Sequence, residues 1–82
     1  MKFGVYSMRD SVSGLYNNPT FEQADEIAVR SFRFAVNKND FLTFNAHDVD
    51  LFKVGEFDNK TGEFVPIVPI KLADGVSMLE VK

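Results

Sequence analysis

Several residue types are missing or scarce in this chain, and each absence narrows what the protein can be. The 82 residues include no cysteine and one histidine, which excludes disulfides and thiolate metal sites and argues against an imidazole-based metal centre. No apolar run approaches about 18 residues, so the sequence predicts no membrane-spanning helix. The opening MKFGVYSMRD also lacks the long apolar stretch of a signal peptide. We expect a soluble intracellular protein that needs no cofactor.

The composition predicts one small folded domain that spans residues 1–82. An apolar content of 45% is normal for a globular protein and argues against disorder. Nine phenylalanines and no tryptophan are present. That many large rings could fill most of a small core, and any that remain would lie on a surface meant to be covered.

The net charge of −3 is unusual for a protein that binds phosphates, because such proteins are usually basic. The charge is unevenly distributed, however: residues 1–38 carry +1 and residues 39–82 carry −4. An anion-binding surface is therefore expected in the first half of the chain.

The first half of the sequence predicts a strand followed by a helix. Residues 2–8 are rich in aromatic and β-branched side chains, as strands are, and residues 11–18 have the composition of a loop. Thr20 and Gln23 have the spacing of a capping box, and apolar residues then recur at helical intervals. These features predict a helix over residues 20–37.

The second half predicts strands. Residues 41–44 favour a short strand, 45–48 a turn, and 49–57 a strand with apolar side chains on both faces. Residues 58–62 (DNKTG) are typical of a type I turn closed by a glycine bulge. The return strand, 63–67, completes a hairpin over 49–67 and is expected at a sheet edge because Pro66 and Pro69 lack a backbone N–H.

A final strand is expected within residues 76–82, after a turn at 73–75. Together these elements predict an α+β fold: a small antiparallel sheet of four to five strands with one amphipathic helix packed on it.

No catalytic template fits the sequence. His47 lies beside Asp48 and near Asp50, but a single histidine in a turn is more often a capping or solvated group. The serines have no identifiable base and orienting partner, and no Walker-type loop, GxGxxG or HExxH motif is present. We expect that the protein is not an enzyme.

The stretch RSFRF, residues 30–34, interleaves two arginines with two phenylalanines. On a helix Phe32 faces the core, whereas Phe34 lies about 160° away, on the side of Arg30. One interpretation is that Phe34 packs on a sheet edge or loop while both arginines extend into water. The other is an Arg–aromatic site for single-stranded nucleic acid. The sequence does not choose between them.

Four stretches resemble one family when they are taken together and in order. They are MKFGVYSMRD, AVRSFRFAVN, DLFKVGEFDNKTG and the proline-containing segment that follows. In these the chain resembles the small nonstructural protein of gokushoviruses, which are microviruses with single-stranded DNA genomes, and the resemblance extends from Met1 to about Pro69.

The resemblance implies a nonstructural, DNA-binding role in the bacterial cytoplasm, during phage DNA replication and packaging. It could be a role like that of the microvirus C protein, which shifts synthesis toward single-stranded genomes. If single-stranded DNA is bound, we expect a surface formed by these residues: Arg9, Arg30, Arg33, Phe34, Tyr6 and Tyr16. The alternative is an interaction module that binds a viral or host replication protein and contacts no DNA. We also expect a homodimer built through sheet strands, because one helix covers only one face of a sheet; the alternative is a monomer in which residues 70–82 fold back over the other face.

Overall fold

The computed structural model describes residues 1–80, which form one antiparallel sheet with helices packed on it. The strands are β1 (Lys2–Asp10), β2 (Leu15–Tyr16), β3 (Thr20–Glu22), β4 (Val49–Asp58) and β5 (Phe64–Asp74). The sheet order is β2-β1-β4-β5, and β3 pairs with the same edge of β1 as β2. The predicted α+β class is confirmed.

The main helix, α1 (Asp25–Lys38), is followed by α2 (Asp40–Phe44), a 3₁₀ turn (Ala46–Asp48) and, after β5, α3 (Gly75–Met78). One stripe of α1 is buried, through Ala28, Phe32 and Val36 at intervals of four. This stripe packs against residues of the sheet and of the 3₁₀ turn, and the core cluster consists of Tyr6, Ala28, Phe32, Val36, Ala46, Val49 and Leu51. No helix within residues 1–80 is long and apolar enough to cross a bilayer.

The sheet has two unlike faces, because successive side chains of a strand point to opposite sides. Tyr6 and Met8 of β1 point toward α1 and belong to or pack against the core. Phe3, Val5 and Arg9 therefore point to the opposite side, which we call the open face. The helices of residues 1–80 lie on the other side of the sheet.

A β-bulge in β4 reverses the expected side-chain alternation. Val5 pairs with Gly55 while Tyr6 pairs with Lys53, so Val54 is an extra residue in β4. The sequence places Phe57 on the same face as Val49 and Leu51. This prediction is wrong, since beyond the bulge Phe57 pairs with Phe3 and lies on the open face.

The hairpin turn forms as predicted. Gly62 has φ 78°, the left-handed conformation that a glycine bulge requires. The Lys60 N–H donates to the Asp58 carboxylate at 2.8 Å, and the Gly62 N–H donates to the Asp58 carbonyl, also at 2.8 Å. Phe57 then pairs with Phe64. The return strand is longer than predicted and lies at the sheet edge, as its prolines require.

The predicted start of the main helix is wrong. Thr20 does not cap a helix; it begins β3, whose Phe21 pairs with Val5 of β1. The helix begins at Asp25, and its N-cap residue, Ala24, makes no side-chain capping bond. Pairing with β1 outweighs the local capping pattern because it satisfies the backbone of residues 20–22 and places Phe21 on the open face.

Three further elements differ from the sequence prediction. The predicted loop 11–18 contains the short strand β2, and residues 41–44 are helical because the Asn39 side chain accepts from the Leu42 N–H and caps α2. The predicted strand over 76–82 is wrong for the described residues, because Gly75–Met78 form the short helix α3. Asp74 accepts from both the backbone N–H and the hydroxyl of Ser77 and so caps α3; residues 81–82 lie outside the described residues.

Candidate nucleic-acid interface

The outer surface of α1 exposes the RSFRF side chains that do not face the core. Phe32 is buried, whereas Phe34 is 57% exposed and Arg30 and Arg33 are exposed beside it. Lys38 is also exposed, one helical turn beyond Phe34. We call Arg30, Arg33, Phe34 and Lys38 the α1 patch. Phe34 is more than half exposed, so much of its ring is available to a ligand.

Two shallow grooves meet at the Phe34 ring. One, of about 370 Å³, is lined by Arg30, Ser31 and Phe34. The other, of about 200 Å³, is lined by both arginines, Phe34, Asn37, Lys38 and Glu80. An aromatic ring with three cations around it can stack on a planar base while the cations lie within reach of a phosphate backbone.

The electrostatics of α1 change sign along the helix. At its N-terminal end, Asp25 and Glu26 border a groove of about 530 Å³ that Arg30 and Arg33 close. The Tyr6 hydroxyl, and then the Lys53 ammonium, hold the pKa of Asp25 below its ordinary value, so this end of the groove keeps its negative charge. The basic side chains therefore outnumber the acidic ones toward the C-terminal half of α1, where Lys38 lies and Glu80 is the acidic neighbour.

Arg9 and Tyr16 form a second, separate pair on the open face. Arg9 pairs with Tyr16 across β1 and β2, and its guanidinium lies over the tyrosine ring at 5.9 Å. The Tyr16 ring also makes an edge contact with Phe52 at 5.6 Å. Within residues 1–80 no comparable guanidinium–ring contact joins Arg30 to Phe34, so the cation–π pair lies elsewhere than the sequence spacing indicates.

Tyr6 is not available to a ligand. Its side chain is 1% exposed, and its hydroxyl donates to the Asp25 carboxylate at 2.6 Å. Burial, then the hydrogen bond to Asp25, raises the pKa of the tyrosine well above its ordinary value. The inclusion of Tyr6 in the nucleic-acid surface is therefore wrong, because the ring links β1 to the start of α1.

The structure thus groups the predicted residues in two places rather than one. Arg30, Arg33 and Phe34 are together on α1, and Arg9 and Tyr16 are together on the opposite side of the sheet. Sequence reasoning missed Lys38 and Phe52 as neighbours of these groups. The four-residue spacing from Phe34 to Lys38 could have indicated the first; the second depends on strand pairing that no local pattern reveals.

Comparison with known proteins identifies the family to which this chain belongs. The family model described as phage ORF5 protein matches residues 3–78, which is nearly the whole chain. No curated protein and no solved structure matches. The chain therefore belongs to the phage ORF5 protein family and is a bacteriophage protein.

Proposed function

We propose that this phage protein binds single-stranded DNA through the α1 patch, as a nonstructural microvirus protein that acts in DNA replication and packaging in the host bacterial cytoplasm. The observation that carries the proposal is the exposed Phe34 ring with Arg30 and Arg33 at its sides. The resemblance to gokushovirus nonstructural proteins supports the same function. Arg9 and Tyr16 would form a secondary contact.

The physics of the patch suits a single strand better than a duplex. A base can stack on Phe34 only if it is not already stacked within a helix, and such a contact is worth about 1–3 kcal/mol. The cations add a term that carries no sequence preference and weakens with salt. At 0.1 M salt the net charge of −3 opposes this only weakly, because charges more than about 10 Å apart are largely screened.

Fluorescence anisotropy with single- and double-stranded oligonucleotides at low salt tests the proposal. We expect binding to the single strand with an affinity that falls steeply as salt rises. The double variant Arg30→Ala, Arg33→Ala should bind more weakly, with a salt slope shallower by about 1.4 if each arginine contacts one phosphate. Phe34→Ala should lower single-strand affinity by about 5- to 150-fold and leave duplex binding unchanged.

A charge-matched control is available at the hairpin end of the molecule. Lys2→Ala, Lys60→Ala removes two cations from exposed positions outside the α1 patch, Lys2 opposite Asp58 and Lys60 in the β4–β5 turn. If this variant keeps the wild-type mass in light scattering and loses as much affinity as the arginine variant, net charge and not the α1 patch governs binding. Unchanged affinity in the arginine variant removes both arginines from the site.

A second candidate function is a protein-interaction module that engages a viral or host replication protein. The aromatic side chains left uncovered on the open face, Phe21 and Phe64, favour it. Such a module would show no oligonucleotide binding at any salt concentration, so the same titration separates the two functions.

A further inference from the structure

The hairpin end of the open face carries a cluster of aromatic rings that α1 cannot cover. Phe21, Phe57 and Phe64 contact one another, with ring centroids 5.4 Å (Phe21–Phe57), 5.8 Å (Phe21–Phe64) and 4.8 Å (Phe57–Phe64) apart. Phe3 pairs with Phe57 in the register and joins them. We call these four residues the aromatic cluster. Phe3, Phe21 and Phe57, with Asn59, line a hollow of about 360 Å³.

The cluster is ordered but only partly buried. Phe64 is 61% exposed and Phe21 is 41% exposed. Among the nine phenylalanines of the chain, Phe32 alone is buried. Phenylalanine rings that contact one another and yet face water form the kind of apolar patch that soluble monomers rarely leave uncovered.

We propose that the aromatic cluster is the centre of a twofold interface with a second copy of this chain. A twofold interface sets a patch against itself, so any excess of one charge would meet the same charge on the partner. The cluster avoids this problem because its four side chains are uncharged. It also contains no cation to hold a phosphate backbone, which makes DNA a poor occupant.

The geometry selects face-to-face packing of two sheets over pairing of their edges. The edge strand β5 contains Pro66 and Pro69, which have no N–H to donate to a partner strand. The molecule measures 44 × 25 × 16 Å, so its whole broad side projects roughly 1,000 Å², and a standard interface of ~800 Å² per partner would extend from the cluster over most of the open face. Both α1 helices would then face outward.

The dimer has one consequence for DNA binding, and this consequence rests on the proposed function. Two outward α1 patches would let modest contacts to one DNA strand reinforce each other through effective concentration. Arg9 lies six residues along β1 from Phe3, about 20 Å away. Arg9 and Tyr16 would thus lie at the rim of an interface centred on the cluster.

Light scattering coupled to gel filtration, from about 1 to 100 μM protein, tests the interface. We expect the wild type to show twice the 9.3 kDa mass of the chain and Phe64→Lys to be monomeric or to dissociate at least tenfold more readily. Phe44→Lys is the matched control: Phe44, on α2, is 83% exposed, and this variant should remain a dimer. Circular dichroism verifies that each variant is folded.

A second measurement does not depend on the charged variants. Association through uncharged rings should be unchanged or strengthened by 0.5 M salt, whereas DNA binding should weaken. A 9.3 kDa wild type at 100 μM would overturn the interface, as would a dimer that Phe44→Lys dissociates and Phe64→Lys does not. If the protein is a monomer and binds DNA, only the dimer proposal is refuted. If it is a dimer and does not bind DNA, only the proposed function is refuted.

Discussion

Replacement of Tyr6 by Phe isolates the contact that fastens the main helix to the sheet. The Tyr6 hydroxyl donates to Asp25 at 2.6 Å, and Asp25 is the first residue of α1, which has no side-chain cap. The ring lies against Gly4, where a Cβ atom would collide with it. Tyr6→Phe keeps this packing and removes only the donor, so the change in stability reports the hydrogen bond.

The size of the effect follows from what remains around the carboxylate. A hydrogen bond to a charged group is worth about 1.5–3 kcal/mol. Asp25 keeps the Lys53 ammonium at 3.4 Å and is 42% exposed to water, so the carboxylate is not left unsatisfied. We therefore expect the low end, about 1.5 kcal/mol, which corresponds to a fall in Tm of about 6–12 °C for a domain of this size.

The pH dependence gives the contact a signature. The folded-state pKa of Asp25 lies below its ordinary value of 3.8, chiefly because of the Tyr6 hydrogen bond. The resulting stability is present above that value and is lost as the pH falls through the lower folded-state pKa. The difference in the free energy of unfolding between wild type and Tyr6→Phe should therefore be complete at pH 7 and should shrink once the pH falls below about 4.

Urea denaturation followed by circular dichroism, at one fixed protein concentration, measures the gap. Tyr16→Phe is the control; Tyr16 is 43% exposed, and the variant should change stability by no more than about 0.5 kcal/mol. Equal midpoints for Tyr6→Phe and wild type at pH 7 would refute the reasoning, and so would a gap that persists unchanged at pH 3.

Two further substitutions test the packing of α1 and α3. Phe32→Ala should cost about 3–5 kcal/mol in urea denaturation because it empties a core position, whereas Phe34→Ala should stay within about 0.5 kcal/mol; similar losses would contradict the orientation of α1. Gly75→Ala should cost about 1–3 kcal/mol, because its Cβ would collide with the backbone oxygen of Ala46. A wild-type Tm for this variant would show that α3 does not approach the 3₁₀ turn so closely.

The sequence predicts this fold well where the signal is local. The Asp58–Gly62 turn forms because one carboxylate and one glycine supply all that it needs, within five residues. The Asp74 cap of α3 is equally local: Asp74 precedes Ser77 by the capping interval, and the same rule that wrongly placed a cap at Thr20 would have found it. Because Gly75 follows Asp74, the sequence pattern favours a turn at this position, and the helix is therefore not predicted.

Pairing between distant segments explains most of what the sequence could not predict. Thr20 begins a strand because β1 offers an unpaired edge, and nothing in residues 20–23 reports that edge. The bulge at Val54 is a second case, because one unpaired residue reverses every later side chain of β4. The hairpin sequence predicts that Phe64 lies opposite Phe57, as it does, but the sequence could not anticipate that Phe21 would join them.

The same distinction between local signals and long-range pairing applies to the candidate site. The exposure of Phe34 follows from its angular offset from Phe32 on one helix, so the periodic pattern alone indicates it. The burial of Tyr6 does not follow from the pattern of its own strand. Alternation in β1 shows that Tyr6 and Val5 lie on opposite faces of the sheet, but it does not show which face α1 covers. Only the position of Asp25 above the sheet fixes that choice, and Asp25 is brought there by the chain that follows β3.

The two proposals account for an acidic chain with few buried rings by assigning different tasks to opposite sides of the sheet. The outer side of α1 carries three cations around Phe34, and the open face carries uncharged rings at its hairpin end. A patch that carried both rings and net positive charge would repel its twofold copy, and a patch of rings alone would hold no phosphate. Under the two proposals, separation of these tasks would let a chain of 82 residues associate with itself while its basic surface remains free for a strand of DNA.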